Sequence, residues 1–237
     1  MQREQPCTHC RHELCIHKVP IFSALDHENL LRIVPLIKHQ SYKKGERLVL
    51  EGDSIDSIII INEGSVKAFK YSPDGREQIL YVFSQGDFFG EQYLLTGQAA
   101  TYSVEALEAV KTCMLTKAQF NKLLYSYPGI SVKIIAELGR RIARMENSFQ
   151  SIGIRNVDAR IAGMLLEYGE RYTGADKTLI HLPLSREGMA NYLGIARETM
   201  SRKLSQLEND GIISSVNNKT IMITDLAALR ALAGLTQ

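Results

Sequence analysis

Long apolar runs are missing from this 237-residue chain. Its longest purely aliphatic stretch is Ile58-Ile59-Ile60-Ile61, far short of the roughly 18 consecutive apolar residues of a membrane-spanning helix. A strong charge bias is missing too: 28 Lys and Arg against 26 Asp and Glu leave a net +2, too little to mark a nucleic-acid partner by charge alone. No Gly-rich phosphate loop of Walker type, no His-Glu-x-x-His and no Gly-x-Ser-x-Gly occurs, so the expectation is that the chain is not an enzyme. Met1 to Cys15 lack the apolar core of a signal peptide, which predicts a cytoplasmic protein without membrane contact. Cysteine is scarce, with four residues. In a reducing compartment clustered cysteines hold metal or do redox chemistry more often than they form structural disulfides.

What is present has the composition of a folded protein, 45% hydrophobic and 23% charged, and the length suits two modest domains and a connector. Four textures follow one another. Residues 1–19 form a Cys- and His-rich arm. Residues 20–127 open with an apolar helical pattern at Leu25, Leu30, Leu31, Val34 and Ile37. They continue as short β-type runs, among them Ser57 to Ile61, Ser65 to Tyr71 and Gln78 to Phe83. Turn chemistry at Gly52, Gly64, Gly75 and Gly86 punctuates these runs, so the segment reads as an antiparallel roll or barrel. Asp87 and Glu91 stand close together in a Gly-rich turn, where turn geometry and capping account for them better than acid–base chemistry.

Residues 128–153 read as one long helix opened by Pro128, after a shorter helix capped by Thr116. Ile135, Ile142 and Phe149 fall at heptad position a, and Leu138, Met145 and Ile152 at d, a pattern that favours a parallel two-stranded coiled coil. Arg141 and Glu146 occupy g and the following e, where an ion pair between chains is expected. A helix packed on its own domain would use the same residues, but the narrow seam, flanked by Gly139, Arg140, Arg141, Arg144 and Glu146, favours the dimer.

Residues 154–237 carry the sharpest pattern. Ser185 can cap a helix with Met189, Ala190 and Leu193 inward, Gly194 breaks it, and a second helix runs from about Ala196 to Asp210 on Met200, Leu204 and Leu207. That leaves Arg197, Glu198, Ser201, Arg202 and Ser205 on its outer face. Arginine reaches guanine O6 and N7, glutamate accepts from cytosine N4, and serine adapts to either. Glutamate repels phosphate, so its presence suits base reading more than general charge attraction. Gly211, then Ile212 to Val216, Asn217-Asn218-Lys219 and Thr220 to Thr224, reads as a two-stranded wing. The fold class expected is α+β: a β-roll, a long dimerisation helix and a C-terminal winged helix-turn-helix.

Arg197-Glu198-Thr199-Met200-Ser201-Arg202, the roll glycines and Gly86-Asp87-Phe88-Phe89-Gly90-Glu91 resemble the CRP/FNR family of bacterial transcription regulators along nearly the whole chain. The resemblance implies a cyclic-nucleotide-binding-type roll, a homodimer, and a palindromic double-stranded DNA site with TTGA-like half-sites read by Glu198, Ser201 and Arg202, in partnership with RNA polymerase. It implies no cyclic-nucleotide binding, because Ala100-Thr101 stand where such members place Arg-Ser or Arg-Thr on the phosphate. It also implies a use for Cys7, Cys10, Cys15 and Cys113: FNR proteins hold an oxygen-sensing [4Fe–4S] cluster with three arm thiolates and one distant thiolate. The arm spacing here, C-x2-C-x4-C, is one residue shorter than the usual second gap. Two alternatives stay open. His9, His12 and His17 make a mixed Cys/His zinc site reasonable, and FNR-like proteins of lactic bacteria, which the chain also resembles, imply a thiol–disulfide switch between Cys7 and Cys113. From another class, the roll could belong to a ligand-binding regulatory subunit that does not read DNA.

Overall fold

The structure is a computed structural model. It describes residues 27–154, 156–172 and 178–235 together with Val19, Phe22 and Leu25, and for residues 30–32, 34, 144, 147–154, 171 and 172 the backbone alone. Cys7, Cys10 and Cys15 therefore lie outside the described residues, as do the side chains of Leu30, Leu31, Val34, Phe149 and Ile152. The chain divides into two compact units, one of residues up to 76 with 80–140 and one of residues 77–79 with 141 onward, so the main division falls inside one helix.

The first unit begins with α1 (His27–Ile33) and a 3-10 turn (Val34–Leu36). Eight strands follow: β1 (Lys38–Tyr42), β2 (Arg47–Val49), β3 (Ser57–Glu63), β4 (Val66–Tyr71), β5 (Glu77–Phe83), β6 (Phe88–Phe89), β7 (Ser103–Ala106) and β8 (Val110–Thr116), with α2 (Glu91–Thr96) between β6 and β7. They form two four-stranded sheets, ordered β1-β8-β3-β6 and β2-β7-β4-β5, the strand order of a jelly roll.

The run Ile58 to Ile61 is explained by its place in β3. Ile58 and Ile60 join a core that also holds Phe22, Ile33, Ile37, Phe120 and Ile130, the helical side of the sheet. Ile59 and Ile61 join Val66, Phe83, Phe89 and Val104 inside the roll. A strand buried on both faces loses the apolar–polar alternation of a half-exposed one. Gly64 and Gly90 have positive φ, and a Cβ at either would stand 2.4 Å from the Ala109 carbonyl oxygen or 2.7 Å from that of Ser57. Both turns thus require glycine for space as well as for backbone angle.

Beyond the roll, α3 (Lys117–Ser126) starts with the full capping box of Thr116 and Gln119, which satisfies two otherwise orphaned amides. The long helix α4 spans Pro128–Ile154. It carries two apolar stripes. Ile130 and Ile134, with Leu138 one turn on, pack on the roll's helical-side core. Val132, Ile135, Ile142 and Met145 are exposed. Leu138, expected at the heptad seam, is partly taken up by its own unit.

The second unit contains α5 (Val157–Tyr172), β9 (Leu179–His181), α6 (Arg186–Leu193), α7 (Arg197–Asn209), β10 (Ile213–Asn217), β11 (Thr220–Ile223) and α8 (Leu226–Leu232). The wing is three-stranded, ordered β10-β11-β9. The third strand, which the sequence did not announce, pairs His181 with Thr220 and is too short to show a period of two.

Candidate functional site

Helices α6 and α7 meet at a tight turn built from local chemistry. Ser185 caps α6 by accepting from the Gly188 amide at 3.2 Å, and Gly194 ends it in the left-handed region at φ 63°. The Arg160 guanidinium of α5 donates to the Leu193 carbonyl, satisfying one of the last acceptors of α6. Met189, Ala190, Met200, Leu204 and Leu207 are buried and fix the two helices against each other. With that face committed, the helical repeat of α7 turns the opposite residues outward: Arg197, Glu198, Arg202 and Ser205 are exposed and Ser201 is half-buried. Two guanidinium groups, a carboxylate and two hydroxyls thus share one face at the start of a helix. This set offers donors and acceptors to base edges.

The wing lies C-terminal to α7. Its tip is shaped by Asn217, whose side-chain oxygen accepts from the Lys219 amide at 2.8 Å, and Val216 to Lys219 are exposed.

On α4, Ile135 and Ile142 are 68% and 56% exposed, an apolar seam that a lone chain would leave in water. Met145 and Glu146 are exposed and Arg141 is half-buried.

The roll places its chemistry inside. Cys113, on β8, is 3% exposed and lies in the same core as Val19, Phe22 and Leu25. Strand register sets it opposite His39 on one side and Ile60 on the other, with its Sγ 3.6 Å from His39 Nδ1. Burial holds the His39 imidazole below its ordinary pKa. This histidine was not among the sequence candidates. Its strand, Lys-His-Gln-Ser-Tyr, has no alternation, and nothing in the sequence pairs positions 39 and 113. Asp87 does shape a turn, accepting from the Ser84 amide at 2.9 Å. Glu91 is the first residue of α2 and is buried, and Gly90 holds the cap position.

Tyr93 of α2 is buried, and its hydroxyl lies 2.9 Å from the Thr101 hydroxyl and accepts from the Thr101 amide at 3.1 Å. Its ring meets Tyr102 edge-on, and Tyr102 meets Tyr81 likewise. Aromatic side chains of the chain itself therefore pack with Ala100 inside the roll, while Thr101 is exposed.

Two family models match the chain, one for the cyclic nucleotide-binding domain over residues 39–127 and one for the Crp-like helix-turn-helix domain over residues 159–232. The chain belongs to the CRP/FNR family of DNA-binding transcription regulators, which are not enzymes. Among its relatives, the nitrogen fixation regulation protein FixK of Bradyrhizobium diazoefficiens is 31% identical, covering 97% of this chain and 96% of that protein. The transcriptional activator protein FnrA of Stutzerimonas stutzeri is 27% identical over 98% of this chain and 94% of its own. The solved structure of FixK2 from Bradyrhizobium japonicum superposes with a TM-score of 0.75 at 26% identity, covering 83% of this chain and 96% of that one. The family typically dimerises on DNA, and no described helix here is long and apolar enough to cross a membrane.

Proposed function

We propose that this chain acts as a homodimer on a palindromic DNA site with TTGA-like half-sites, and that its activity follows oxygen or redox state. The observation that carries the DNA reading is the row Arg197, Glu198, Ser201, Arg202 and Ser205 turned outward on α7 while Met200, Leu204 and Leu207 lock the opposite face. In the major groove the arginines take guanine acceptors and Glu198 takes a cytosine amine. Pairing through Ile135, Ile142 and Met145, continued by Phe149 and Ile152, sets the two α7 helices about one turn of DNA apart, with RNA polymerase as the further partner.

For the signal, Cys113 is the one described member of the thiol set. Val19 shares its core, and Cys15 stands four residues earlier in the chain, within a reach of roughly 14 Å even when extended. A soft thiol within reach of the arm suits a [4Fe–4S] cluster held by Cys7, Cys10, Cys15 and Cys113, which when bound supplies an oxygen-labile redox centre. The chain's own part is to keep Cys113 fixed and dry on β8. Zinc on the same donors, or a Cys7–Cys113 disulfide, are the competing uses. Against a cyclic-nucleotide signal stand Ala100-Thr101 in place of an Arg-Ser or Arg-Thr pair and the engagement of the Thr101 hydroxyl and amide by Tyr93.

The test is anaerobic purification followed by metal and sulfide analysis and by binding to a TTGA palindrome and its scrambled form. About four iron and four sulfide per chain, lost in Cys113→Ser, supports the cluster. Zinc without iron selects the zinc site, and neither metal with an oxidant-dependent mobility shift selects the disulfide. Equal affinity for both duplexes overturns the DNA reading.

A further inference from the structure

The cations of α7 are of two kinds. Arg197 and Arg202 are exposed on the outward face. Lys203 follows Arg202 directly, so it lies about 100° further round the helix, and its ammonium is turned away from that face. Lys203 Nζ lies 2.9 Å from both carboxylate oxygens of Asp158 and 3.3 Å from Gln206 Oε1. The lysine side chain is 24% exposed and the aspartate 30%. Asp158 in turn is held in the first turn of α5, where the helix dipole favours an anion, and the neighbouring Ala159 amide is capped by Asn156 at 2.9 Å. Two charges on different helices, both more than half withdrawn from water and met by both carboxylate oxygens, hold an orientation better than a surface pair does.

We propose that Asp158 and Lys203 are a positioning pair for DNA recognition: the aspartate fixes the rotation of α7 and keeps the Lys203 ammonium off the DNA phosphates. The helix then adds base contacts to affinity without adding another sequence-blind charge. This rests on α7 being the DNA-reading helix. Each phosphate that a protein cation neutralises steepens the dependence of log K on log salt by about 0.9, so a lysine held in reserve is visible as a slope that does not include it.

The experiment uses the full-length protein and the best duplex it recovers from a randomised pool, against a scrambled duplex, over a series of salt concentrations. Asp158→Asn keeps the shape and removes the charge. With Lys203 released to the flanking phosphates, the salt slope steepens by about 0.9 per protomer and the ratio of selected to scrambled affinity falls about fivefold. Lys203→Met should leave the slope at the wild-type value, because the ammonium was never on phosphate, and should lower the ratio through the lost hold on α7. Lys203→Arg should restore the wild-type ratio. An unchanged slope and ratio in Asp158→Asn, or a slope shallower by about 0.9 per protomer in Lys203→Met, overturns the proposal while leaving α7 as the reading helix. The Lys203→Met slope decides even if Asp158→Asn proves unstable by thermal melting. A wild-type protein that enriches no duplex from the pool overturns the reading of α7 itself, and the pair's role with it.

Discussion

The roll and the winged helix handle their polar groups in opposite ways. In the roll, Cys113 and Tyr93 are buried, with Cys113 against His39 and the Tyr93 hydroxyl on Thr101. In the winged unit, α7 spends its buried face on Met200, Leu204 and Leu207 and keeps its charged row outside. A group that reads DNA must be presented, and one helix suffices to present it. The roll instead keeps Cys113 and Tyr93 buried, and burying them takes several strands in register. The roll should therefore be intolerant of small changes in its frame, whereas the winged unit should lose function through its surface without losing its fold.

The largest expected effect breaks the comparison at its turns. In Gly64→Ala the new methyl would meet the Ala109 carbonyl oxygen at 2.4 Å with φ at +85°, so backbone as well as side chain must move. The cost is on the order of 3 kcal/mol. Gly211→Ala, at φ +71° with nothing within 4 Å, carries only the left-handed backbone penalty of about 1 kcal/mol. Denaturant melts of the two variants measure the difference. Equal losses would mean that the roll's frame is no tighter than the winged unit's.

Next in size is a change that should leave melting untouched. Arg202 is exposed on α7, and Arg202→Ala should cost about 1–3 kcal/mol of preference for the selected duplex while scrambled DNA is bound nearly as before. A gel-shift titration on both duplexes checks it. An equal loss on both would make Arg202 a phosphate contact, and the winged unit would then read by charge.

The same contrast decided what could be read from the sequence. The α6 and α7 faces, the Thr116 cap and the Gly194 break all follow from residues within one or two turns of each other, where periodicity and capping rules act, and the structure has each of them. The Cys113–His39 contact depends on β1 pairing with β8 across more than seventy residues, and a single sequence does not register such a pairing. Leu138 fitted a heptad and also lies one turn beyond Ile134, on the stripe that faces the roll. One leucine satisfies both spacings, and only packing chooses. Glu91 read as a turn residue because its neighbours are glycines, yet Gly90 takes the positive φ and leaves the glutamate to begin α2, buried.

A smaller effect sharpens the account of the roll interior. Tyr93→Phe keeps the buried ring and its edge-on contact with Tyr102 but removes the two hydrogen bonds to Thr101. Because Thr101 is itself exposed, water can replace the lost partner, and the cost should be about 0.5–1 kcal/mol. Tm of the roll transition reports it. A loss of several kcal/mol would mean that the hydroxyl, and not the ring, holds α2 in place.

The last effect is silent at neutral pH and appears only in alkali. Tyr42, on β1, has its phenol pushed up to about 12, first by burial and then by the nearby Glu46 carboxylate. In the unfolded chain the same phenol ionises near its ordinary value of about 10. Below that value the group is neutral in both states and contributes nothing that changes with pH. Above it the unfolded chain gives up its proton first, so stability present below pH 10 is lost progressively up to about pH 12. Tyr42→Phe should melt like the parent at pH 8 and fall less steeply between pH 10 and 12, a difference that the other tyrosines and lysines, common to both proteins, do not contribute. If the two alkaline limbs coincide, the Tyr42 phenol ionises as freely in the folded roll as in water, and the edge of the roll at β1 is more open than its packing indicates.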